Sequence, residues 1–131
     1  MKYFTLKELT RSATAEAKGI DNTPTPEVEK NLTLLVENVL DPLRKLSGKP
    51  ITVNSGYRCP ELNKAVGGSK TSDHVKGFAA DITGGSKEEN ERLFYLIKYN
   101  FNFKQLIDEK DFSWVHVSYD PSNLKNQILK L

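Results

Sequence analysis

The chain is short of almost every residue that would announce a specialised class. It has one cysteine, Cys59, so no internal disulfide can form and nothing marks the fold as built for an oxidising compartment. Histidines are limited to His74 and His116, and Trp114 is the single tryptophan. No run of about 18 apolar residues occurs, which excludes a spanning helix and makes membrane insertion unexpected. Charge of one sign is scarce too. Nineteen Lys and Arg against 17 Asp and Glu leave +2. That is too little to argue for a nucleic-acid partner, and lysines scattered through helices read as a solvated face. The start, MKYFTLKELT, lacks the apolar stretch of a secretory leader, so work outside the cytoplasm would need another delivery route. No repeat, low-complexity tract or long linker divides the 131 residues, so one domain over 1–131 is expected.

What is present reads as helices first and a small sheet afterwards. TLKELTRSATAEAKG reads as helix: Thr5 and Glu8 have capping-box spacing, Ser12 suits the cap of a second turn, and Gly19 is a stop signal. TPEVEKNLTLLVENVLDPLRKLSG is a longer helix with Thr25 as N-cap and Pro26 at the first helical position. Val28, Leu32, Leu35, Val36, Val39, Leu43 and Leu46 fall on one face, and Pro42 is expected to kink or break the helix. After Gly48, PITVNSGYR looks like a strand entering a turn, CPELNKAVGG a brief helix, and GFAADIT a second strand. SKEENERLFYLIKYN is a helix capped by Ser86, and KQLIDE and WVHVSYD are strands joined across KDFS as a hairpin. The fold class expected is α+β, with a small, mainly antiparallel sheet.

Within SKTSDHVKGFAADI, His74 precedes Asp81 by seven residues, and Asp81 interrupts an apolar run. His116 is the only other histidine, in a segment able to converge on the first two. Zinc sites take neutral imidazoles and anionic oxygens, and catalytic ones use three protein ligands. Each residue also has a plain reading: a polar loop histidine, a half-buried strand histidine, an Asp capping the turn before TGG. An unpaired buried carboxylate is expensive, however, and a cation removes that cost.

The run from Ser72 to Asp81 matches SxHxxGxAxD without a departure. It resembles the zinc D-alanyl-D-alanine peptidase family, which shares its fold with lysostaphin-type endopeptidases and the hedgehog signalling domain. FTLKELTRSATA, GIDNTP, SGYRCPELNKAVGGS and WVHVSY are similar to the short phage and prophage branch of that family. The resemblance implies one zinc ion held by His74, Asp81 and His116. It further implies that Arg58 holds a substrate carbonyl or carboxylate, and that Ser72 contacts the peptide backbone. Gly77 permits a sharp turn between the loop ligand and the strand ligand, and Ala79 and Ala80 keep bulk low beside the metal. Tyr57 reads as packing, and Cys59 as a small buried filler rather than a nucleophile.

Many relatives place the general base three residues before the last histidine ligand, and here that position is Ser113. A serine cannot take up the water's proton and return it to a leaving amine. If KDFS is a four-residue loop, Glu109 pairs with Trp114, Ile107 with His116 and Gln105 with Ser118. Alternation then puts Glu109 on the face of His116 and Asp108 on the other, with Asp120 at the far end of the strand. The branch resembled often carries an acid in the QLIxE context. Glu109 is therefore the expected base, and Asp111, in the loop, the second choice. Trp114 shares that face, where core packing competes with stacking against a glycopeptide.

The expected activity is zinc-dependent hydrolysis of peptidoglycan stem peptides, of the D-Ala-D-Ala carboxypeptidase or L-Ala-D-Glu endopeptidase type. The protein would act as a monomer on the cell wall, as a phage or prophage lysin. The alternative is a zinc-containing, non-catalytic cell-wall-binding or phage structural module, which Ser113 favours.

Overall fold

Local capping sets most of the helix boundaries in the computed structural model, which describes residues 1–131. Thr5 accepts from Glu8 N to open α1 (Leu6–Thr10), and Ser12 accepts from Ala15 N to open α2 (Ala13–Lys18). The segment expected as one helix is thus two, because Arg11 is extended (φ −70°, ψ 136°). Thr25 accepts from Val28 N, and Pro26 begins α3 (Pro26–Leu35). Pro42 does not break the rod. The backbone widens into a π turn over Val36–Leu40, with Asp41 N donating to Val36 O, and continues as α4 (Asp41–Ser47). A π turn inserts one residue and rotates everything after it. Leu40 and Ser47 therefore turn inward, and Leu46, expected on the buried face, is 48% exposed.

Five strands follow: β1 (Thr52–Ser55), β2 (Ala79–Thr83), β3 (Gln105–Glu109), β4 (Trp114–Ser118) and β5 (Gln127–Lys130). Between them lie α5 (Pro60–Ala65), α6 (Asp73–Lys76) and α7 (Lys87–Asn100). The sheet order is β1-β2-β4-β3-β5, antiparallel except for the β3–β5 pair, which is parallel. β5 carries little signal because its residues are largely exposed. It is set by pairing with β3 and by Gln127 N donating to Lys104 O.

The sheet has two unlike faces. Val53, Ala80, Ile82, Leu106, Val115 and Val117 point into one core with the buried sides of α3, α4 and α7. On the other face the strand register sets Ser55, Asp81, His116 and Ile107 side by side across four strands. Strand pairing is the device that carries two distant polar residues to one place.

Candidate metal centre

Two of the three implied ligands come from neighbouring strands and the third from a helical turn packed over them. Asp81 on β2 is the direct partner of His116 on β4. His74 lies in α6, a four-residue helix that Ser72 opens by accepting from His74 N at 3.2 Å. Gly77 ends that turn at φ +79° under α3, where a Cβ would sit 2.9 Å from the Val28 carbonyl oxygen. Only glycine satisfies both the left-handed backbone and the close approach.

Orientation is fixed as well as position. His74 Nδ1 lies 2.7 Å from Gly56 O; a carbonyl only accepts, so Nδ1 carries the proton and Nε2 keeps its lone pair. That Nε2 is 3.4 Å from Asp81 Oδ1, and His116 Nδ1 is 3.0 Å from the same oxygen. All three ligand atoms lie within 4.8 Å of one another. A tetrahedral zinc with bonds of about 2.0–2.1 Å separates its ligand atoms by about 3.3 Å, so the donor set fits that ion in kind and in spacing. Burial pushes the Asp81 carboxyl up, but, opposite protonated imidazoles, their hydrogen bonds and charge prevail and hold it well below the usual carboxylate range.

Around the triad runs a groove of about 430 Å³ lined by Arg58, Ser72, Glu109 and Trp114 among others. The observed hairpin pairs Glu109 with Trp114, Ile107 with His116 and Gln105 with Ser118. Glu109 thus reaches the same groove as His116. Asp111 does not: its carboxylate is exposed and paired with Lys87 Nζ at 2.7 Å. Ser113 Oγ donates to Lys110 O, and Asp120 accepts from Ser122. The buried Asp108 accepts from Phe112 N, steadying a loop whose Lys110, Asp111 and Phe112 are all left-handed. Arg58 makes no side-chain hydrogen bond, its Nε is buried without a partner, and the residue lines the groove. Burial lowers the Arg58 pKa from its ordinary value, with the charge of Asp81 opposing.

Residues 2–118 match the family model described as Peptidase M15. The chain belongs to that family. An 85-residue stretch is 36% identical to the zinc D-Ala-D-Ala carboxypeptidase of Streptomyces albus G, covering 64% of this chain. That stretch spans about a third (32%) of the relative's length. By family this is a Peptidase M15 domain, and the His74, Asp81 and His116 cluster is where a metal ion fits.

Three contributors to the M15 site leave no mark in the sequence pattern. Gly56 orients His74 through its carbonyl, and Leu9 O accepts from Tyr57 N at 2.7 Å, bracing the same turn from α1. Lys104 Nζ binds the buried Asp73 carboxylate at 2.8 Å, anchoring the residue before His74 to the start of β3. Backbone carbonyls leave no trace in composition, and the lysine is 31 residues from its partner. Cys59 is half-buried and acts locally, its Sγ accepting from Leu62 N to cap α5.

Proposed function

We propose that this domain hydrolyses peptide bonds in peptidoglycan stem peptides. The observation that carries the reading is one groove bringing together a zinc-shaped donor triad, an arginine with unpaired donors and an unpaired carboxylate on the ligand face. Zinc held by His74, Asp81 and His116 would supply Lewis acidity that polarises a peptide carbonyl and makes water a better nucleophile. Arg58 would hold a substrate oxygen through charge-assisted hydrogen bonds. Glu109 would take the attacking water's proton and deliver it to the leaving amine. Ser72, already an N-cap, and Trp114, half-buried at the groove, would contact the peptide and its sugar.

The stem-peptide substrate is supported by the aligned carboxypeptidase, whose name gives D-Ala-D-Ala as what it cuts. Both a terminal D-Ala-D-Ala cut and an internal L-Ala-D-Glu cut suit the chemistry. A phage or prophage lysin acting on the wall is the role suggested by the segments that resemble that branch. The deciding experiment is digestion of defined muropeptides by zinc-loaded protein, read by mass spectrometry beside a chelated control. Zinc-dependent release of D-Ala, or of an internal fragment, names the bond.

A second reading, a wall-binding module that keeps zinc without turnover, rests on Ser113 standing where relatives carry the base. Intact muropeptides with zinc present would select it.

A further inference from the structure

The groove does not stop at the triad. A second lobe of about 460 Å³ shares only Arg58 and Asp81 with the first. Sheet order places the lobes on opposite sides. Glu109 and Trp114 belong to β3 and β4, whereas the second lobe lies over β1, across β2. Its walls are Arg11 and Ser12 from the turn between α1 and α2, Glu16 from α2, and the apolar Leu62 and Val66.

Its floor is an edge strand with a defect. Register jumps between Val53 and Ser55, leaving Asn54 as a bulge, and Asn54 and Ser55 both line the lobe. β1 pairs with β2 on one side only, and no other hydrogen bond engages residues 52–55. A free edge beside a cleft is a template for an extended peptide. Bulges commonly re-aim side chains next to such sites. The charges fit a particular peptide. Asp81 is committed to the imidazoles, so Arg11 and Arg58 face only Glu16 among the lobe's remaining charges. Neither arginine is in an ion pair.

We propose that this lobe is a second peptide subsite, binding a carboxylate-bearing segment beyond the cleaved bond with Arg11 selecting the carboxylate. The inference rests on the peptidase reading above and sharpens it. A lobe of this volume encloses several residues rather than one alanine. Peptide therefore lies on both sides of the triad, and the cut is internal.

The test uses a ladder of synthetic stem peptides, extended by one to four residues past the cleaved bond, with C-termini free or amidated. Binding is followed by amide chemical shifts of the labelled Glu109→Gln chain, so that nothing is consumed. Shifts at Arg11–Glu16 and at Asn54 and Ser55 are expected to grow with the second residue and to survive C-terminal amidation. In the otherwise wild-type enzyme, Arg11→Glu should raise KM about tenfold for peptides with an interior carboxylate, the worth of one charged hydrogen bond, with kcat nearly unchanged. Peptides whose carboxylate is converted to an amide should lose that sensitivity. Shifts confined to the Glu109 side would overturn the proposal, as would binding lost on C-terminal amidation alone. Cleavage without β1 shifts sinks the subsite and spares the peptidase; β1 shifts without any cleavage do the reverse.

Discussion

His74 donates from Nδ1 to the carbonyl of Gly56 across 2.7 Å, and this bond aims Nε2 at Asp81. A Cβ on Gly56 would run into the Leu9 carbonyl oxygen, so the turn that supplies the acceptor has no room for a side chain. Gly56→Ala should destabilise the domain by at least about 2 kcal/mol through overpacking against backbone, read from the urea midpoint. It should also weaken zinc binding, since the carbonyl moves with its residue. Unchanged zinc affinity would mean that another contact orients the ring.

Glu109→Gln removes proton transfer while keeping the side chain's size. Zinc stoichiometry should stay at one, and turnover should fall by about a hundredfold or more. Asp111→Asn and Ser113→Ala serve as controls. Asp111 is engaged with Lys87 and Ser113 with Lys110 O, so both should keep near-native turnover. A large loss in Asp111→Asn alone would transfer the assignment.

Lys104 and Asp73 form an ion pair just behind His74, with side chains only 18% and 7% exposed. Lys104→Met strands a buried carboxylate and should cost roughly 3 kcal/mol, whereas adding Asp73→Leu should recover most of that. Chemical denaturation of the two single variants and the double variant tests it. Additive losses would show that the pair is not coupled.

Mild acid should not displace the metal by protonating Asp81. Asp81 is depressed well below its ordinary 3.8 in the folded chain, so it stays anionic from pH 7 down past pH 4 and releases no proton on metal binding. Its stabilising contribution is complete above the ordinary value and is lost only as pH falls through the depressed one. Competition titrations should show the logarithm of zinc affinity falling with a limiting slope below three protons per metal, because Asp81 contributes none. A slope of three would put a proton on Asp81 as well.

Most of the site is legible in the sequence because it rides on short-range rules. His74, Gly77 and Asp81 sit within eight residues, and the parity of a four-residue hairpin loop is enough to put Glu109 beside His116. Helix starts at Thr5, Ser12, Thr25 and Ser86 follow from capping chemistry, which needs only three residues of context. The π turn ahead of Pro42 is not readable in that way. A proline forbids one hydrogen bond, but whether the chain breaks, kinks or widens depends on what packs against the helix. That outcome decides which leucine, Leu40 rather than Leu46, reaches the core.

The sequence by itself determined the donor types, their order and the face each strand would present, because periodicity and side-chain chemistry are local properties. Tertiary structure alone decided the rest: the Gly56 carbonyl that aims His74, the lysine beneath Asp73, and the free edge of β1 that extends the groove beyond the triad. Each joins segments whose only common cause is the packing of the sheet against its helices, and no local pattern encodes a distance across a core.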